Sequence, residues 1–113
     1  MTDKARKYLS DILISINHIQ SFTDGTLSID QYKKNFLVKA AVERHLGIVG
    51  EAVKKFLSES PENRLTNASQ IISLRNRLIH SYDNVDDRII WTIIKRHISP
   101  LKQEVEELLK NQV

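Results

Sequence analysis

Arg75 and His80, five residues apart, are the side chains in this sequence best suited to chemistry. A guanidinium presents a flat fork of donors that matches a phosphate, and it keeps its charge at any working pH. An imidazole can give or take a proton near neutrality. Asn76 and His80 stand four apart and can touch on one helical turn. The other histidines offer less. His18 lies off the apolar stripe of its helix, His45 follows Glu43 in the order Glu-Arg-His, and His97 precedes Ser99-Pro100. None has the Glu-x-x-His spacing of a di-iron bundle or the His-Glu-x-x-His spacing of a zinc hydrolase. A surface or helix-end position is expected for each. Cysteine is absent, which excludes disulfides, thiolate nucleophiles and Cys-ligated zinc.

The elements that must position Arg75 and His80 are helices. The 113 residues hold only three glycines and two prolines, too few for the frequent turns of a β sandwich. Leu9, Ile12, Leu13, Ile16, Ile19 and Phe22 recur at helical spacing and predict a helix over 2–23. Asp24-Gly25 should stop it, with Gly25 in the left-handed conformation. Ser28-Ile29-Asp30-Gln31 reads as a capping box opening a second helix that nothing breaks before Ser58, a rod of roughly 45 Å. Gly47 and Gly50 inside it suggest a close approach of another helix. A third helix is expected over 67–82, and a fourth from an Asp86 cap. Ser99-Pro100 marks a kink or a fresh start before a last apolar stripe. The expected fold class is an all-α, antiparallel four-to-five-helix bundle, one domain over 1–113. Net charge is +3, which permits an acidic partner such as RNA without requiring one. No apolar run approaches a membrane span, so a cytoplasmic location is expected.

On the third helix, stepping about 100° per residue places Arg75 inside an apolar arc with Ile71, Leu74 and Leu78. A guanidinium there must find a carboxylate, a route to water or a phosphate. Glu51 and Glu43 of the long helix are the candidate carboxylates. His80 lies about 140° from Arg75 on the same wheel, so one straight helix does not aim both at one point. His80 also sits in the last turn, where the helix dipole favours imidazolium.

The run Arg75-Asn76-Arg77-Leu78-Ile79-His80-Ser81-Tyr82 resembles the R-x-x-x-x-H-x-Y signature of the HepT toxins, small helical ribonucleases of the HEPN superfamily. Ile48-Val49-Gly50-Glu51-Ala52-Val53, the stretch from Asp83 to Trp91, and Ser99-Pro100-Leu101 are similar to further family segments, in order along nearly the whole chain. The resemblance implies a homodimer that cuts RNA, such as tRNA, without a metal or cofactor. It implies that Arg75 and His80 are the catalytic pair, with Asn76 supporting them; Glu51 is expected to support Arg75 as its carboxylate partner. Tyr82 matches the tyrosine that a cognate MntA-type nucleotidyltransferase antitoxin modifies with AMP. RNA brings its own nucleophile, the 2′-OH, so the protein needs only a base, an acid and a positive charge on the phosphorane. A dimer would supply two copies of His80. The alternative is a HEPN module that binds a nucleotide or a partner and cuts nothing.

Overall fold

The computed structural model describes residues 1–80 and 85–111. Its elements among these residues are α1 (Asp3–Thr23), α2 (Ile29–Lys34), α3 (Phe36–Glu59), α4 (Ala68–His80), α5 (Asp87–Arg96) and α6 (Ile98–Lys110). The all-α class stands, with six helices in place of four to five. Tyr82 lies outside the described residues, as does the end of the expected third helix.

The helix starts follow their capping chemistry. Thr2, Ser28, Asn35 and Asp86 each accept a backbone N–H from the first turn they open. Two expectations need correcting. The long second helix is broken at Asn35, whose backbone is extended (φ −102°, ψ 90°) and whose Oδ1 accepts from the Val38 N–H at 3.1 Å. An asparagine gains more by capping a new helix than by continuing an old one. The rod is therefore the 24 residues of α3, about 36 Å long. Gly25 has no positive φ; the end of α1 is closed by Thr23, whose hydroxyl donates to the Ile19 carbonyl at 2.8 Å and whose own carbonyl accepts from the Thr26 N–H. At Ser99-Pro100 the fresh start, one of the two expected alternatives, is what forms: α5 ends at Arg96, His97 caps it, and α6 begins at Ile98.

α3 is the central element. It packs most extensively on α1 and next on α4, while α6 covers α1 and α5. Leu9, Ile12, Ile16 and Ile19 of α1 meet Val42, Leu46, Val49, Val53 and Phe56 of α3 in one buried core, closed by Ile71, Leu74, Ile90, Leu101 and Val105. Each of these aliphatic side chains contributes about 1.5–3 kcal/mol when removed from water. α2 is tied down by Tyr32, which is fully buried and tilted against the Trp91 ring at 5.8 Å. Burial, with Glu43 and Asp87 nearby, pushes the Tyr32 phenol far up, so it stays neutral. The consequence for function is a rigid α3–α4 pair, with the Arg75–His80 segment on its outer helix.

Candidate functional site

Arg75 is fixed where α4 crosses α3, and a glycine makes the crossing close. A Cβ added at Gly50 would overlap the Cβ of Arg75 and lie 2.9 Å from its Cγ and 3.1 Å from the Ile71 carbonyl oxygen. The arginine stem therefore occupies the space a side chain at position 50 would fill. Gly47 is different: an added Cβ there would meet nothing within 4 Å. The expected close approach holds at Gly50 and fails at Gly47.

The guanidinium is engaged at both ends. Its Nη2 lies 2.5 Å from Glu51 Oε2, a charge contact without hydrogen-bond alignment. Its Nη1 donates to Asn76 Oδ1 at 3.0 Å. Its Nε is buried with no hydrogen-bond partner among the described residues. Glu51, of the two candidate carboxylates, is thus the one that pairs with Arg75. Glu51 is shared with Lys55, whose Nζ is 3.7 Å from Oε1. The i,i+4 spacing of Glu51 and Lys55 is the signal in the sequence for this second cation. Asn76 turns toward Arg75 and not toward His80, against the expected i,i+4 contact.

A groove of about 640 Å³ runs beside this arginine, between α1, α3 and α4. Tyr8, Ile48, Leu78 and Ile79 give it apolar walls, and Lys7, Arg44 and Lys55 place cations along it. Glu43, at its edge, has its carboxyl pushed up by burial and by Asp87, against the pull of Lys39. His80 does not line this groove. It is exposed at the C-terminal end of α4, so the structure keeps the separation of arginine and histidine that the helical wheel predicts.

The remaining histidines do structural work. His45 is not a surface residue: it is half-buried, and its Nδ1 is 3.1 Å from the hydroxyl of Ser15. Its ring lies 5.0 Å from His18 and 5.6 Å from Phe22. Burial, with His18 and Arg44 close by, holds its imidazole below the ordinary value of 6.5. No local pattern reveals the Ser15–His45 contact, because its partners are 30 residues apart. His97 joins the α5–α6 corner to Asn67. Among the described residues, no three His, Asp or Glu side chains gather so as to hold a metal ion, and no helix is long and apolar enough to cross a membrane.

An all-α bundle that presents an arginine in a groove, with a histidine five residues on, has direct counterparts in sequence. The profile of the family described as "Ribonuclease HepT-like" matches residues 12–108. "Putative RNase MJ1380" of Methanocaldococcus jannaschii is 32% identical over 103 residues, covering 89% of this chain and 93% of that protein. "Putative RNase TTE0752" of Caldanaerobacter subterraneus subsp. tengcongensis is 33% identical, covering 95% and 96%. "Probable ribonuclease HepT" of Thermococcus cleftensis is 32% identical, covering 93% and 96%. The chain belongs to the HepT-like ribonuclease family of the HEPN superfamily.

Proposed function

We propose that this protein is a metal-independent endoribonuclease acting as the toxin of a toxin–antitoxin system, built as one HEPN domain over 1–113. The observation that carries the reading is Arg75. A guanidinium held by Gly50, Glu51 and Asn76 beside a groove, with Nη N–H donors beyond the one given to Asn76, is prepared for an oxyanion. In the reaction, the 2′-OH of the RNA attacks the adjacent phosphorus as a base takes its proton. Negative charge builds on the non-bridging oxygens, where Arg75 donates. The 5′-oxygen leaves with a proton from an acid, giving a 2′,3′-cyclic phosphate. His80 fills the acid or base role. Asn76 and Glu51 hold the guanidinium in place.

One chain offers one exposed His80, so the second proton role falls to a second copy across a two-fold axis. Ile79, 51% exposed beside the groove, is an apolar side chain such a partner would cover. Tyr82, the last residue of the signature, is the site at which an MntA-type nucleotidyltransferase would attach AMP. The added phosphate charge, two residues from His80, would block the path of RNA.

The test is incubation of total RNA, such as tRNA, with wild type, Arg75→Ala and His80→Ala in EDTA. Cleavage by wild type alone supports the proposal. Full activity in either variant, or loss of wild-type activity on chelation, overturns it. Binding of nucleotide or partner without cleavage would favour the non-catalytic module. Co-expression with a cognate MntA-type nucleotidyltransferase should add AMP to Tyr82, read by mass spectrometry. A neutralised toxin with unmodified Tyr82 would refute that part.

A further inference from the structure

A second groove, of about 590 Å³, lies on the other side of α4, against α5. Its size is in the range of small-ligand sites. Leu74 and Ile93, 2% and 4% exposed, form an apolar floor. Arg77 from α4 and Arg88 from α5 stand at its rim with Ser73 and Thr92. His97, tied to Asn67, is part of the wall.

The helical wheel relates this groove to the signature. Arg77 and Arg75 are about 200° apart, on opposite sides of α4. His80 is about 60° from Arg77 and about 140° from Arg75. The histidine therefore stands between the two grooves, on the Arg77 side. A strand with a phosphate at Arg75 that passes His80 is led over the end of α4 toward Arg77.

We propose that the α4–α5 groove binds a nucleotide of the RNA strand next to the cut, with Arg77 on its phosphate. The proposal rests on the ribonuclease reading above and adds a substrate-binding subsite to it. The chemistry of the walls fits such a ligand. Arg88 is oriented by Asp86, donating from Nη2 to Oδ2 at 3.0 Å and from Nε to Oδ1 at 3.3 Å, and two of its five N–H donors are spent there. Thr92 donates its hydroxyl proton to the Arg88 carbonyl at 2.8 Å. Its oxygen is left with acceptor capacity for a base amino group. The apolar floor suits the face of a base.

The experiment uses a fluorescein-labelled 2′-O-methyl oligoribonucleotide, which lacks the attacking hydroxyl and cannot be cut. Fluorescence anisotropy gives the Kd of wild type, Arg77→Glu, Thr92→Val and Lys110→Glu. The last makes the same charge change at an exposed site that lines neither groove. Arg77→Glu should weaken binding about tenfold and lower the salt slope by about one. Thr92→Val should weaken binding by a smaller factor, and Lys110→Glu by less than about twofold. Equal effects of Arg77→Glu and Lys110→Glu overturn the subsite. If wild type still cuts natural RNA in that case, the ribonuclease reading survives. If Arg77→Glu weakens binding but natural RNA is never cut, the groove stands and the ribonuclease reading falls.

Discussion

Arg75 and His80 sit on one helix and are treated in opposite ways. The arginine is enclosed: Gly50 makes room for its stem, Glu51 and Asn76 take its ends, and the side chain is only 16% exposed. The histidine is exposed at the helix end, and no side chain among the described residues hydrogen-bonds to it. Under the proposed function, the difference teaches which half of a phosphodiester site the bundle builds in advance. A charge stabiliser must be fixed before the transition state forms, because reorganising it would cost part of the gain. A proton carrier can be oriented by its substrate or by a second chain, since its hydrogen bonds tighten in the complex.

The largest effects should come from removing either member. His80→Ala should slow cleavage by about a hundred- to ten-thousandfold, and Arg75→Ala by about a hundred- to a thousandfold. The comparison is sharpened by adding imidazole or guanidinium to the reaction. His80 is exposed, so free imidazole should restore part of the activity of His80→Ala. Arg75 is enclosed, so free guanidinium should restore less to Arg75→Ala. Equal rescue, read in the same cleavage assay, would break the distinction.

Glu51→Gln comes next. It keeps the shape and removes the charge beside Arg75. A positioning role predicts about a tenfold loss in kcat/KM, or roughly 1.4 kcal/mol, carried by kcat. If Glu51 instead competes with the phosphate, KM should fall. Steady-state kinetics on a defined RNA separate the two.

The two glycines of α3 should respond to alanine with opposite signs. Gly50→Ala forces a methyl into the Arg75 stem and the Ile71 carbonyl, and overpacking of this kind costs about 1–3 kcal/mol. Gly47→Ala meets nothing and should stabilise by about 1 kcal/mol through helix propensity. Urea unfolding checks both. The first variant should also lose activity, because the arginine must move.

Much of this arrangement was legible in the chain. The all-α class followed from the scarcity of glycine and proline and the spacing of Leu9, Ile12, Ile16 and Ile19. The burial of Arg75 followed from its place between Ile71, Leu74 and Leu78, and Glu51 was one of two carboxylates within reach. What escaped was set by competition or by distance. Asn35 can continue a helix or cap one, and its residue type alone does not decide between them. The Ser15–His45 contact joins two helices whose register no local pattern encodes. The different fates of Gly47 and Gly50 depend on which row of α3 meets α4.

His45 gives the smallest effect and tests the same contrast on a residue of the same type. Unlike His80 it is half-buried and partnered by Ser15, and its imidazole is held below 6.5 by burial and by the charges of His18 and Arg44. Between its depressed folded value and 6.5, the unfolded chain binds a proton that the folded chain does not. Stability therefore falls as pH falls through that window, and it is unaffected by this group above it. The loss should be less than about 1 kcal/mol, because water reaches the ring and screens it. Glu43 acts with opposite sign, since its raised carboxyl favours the fold as pH falls toward 4.5. Comparing wild type with His45→Phe cancels that contribution while keeping a ring against His18 and Phe22. The difference in Tm between the two should grow as pH drops below 6.5, in favour of the phenylalanine. A difference independent of pH would mean that His45 titrates alike in the folded and unfolded chain, and that its burial against Ser15 and His18 does not tune it.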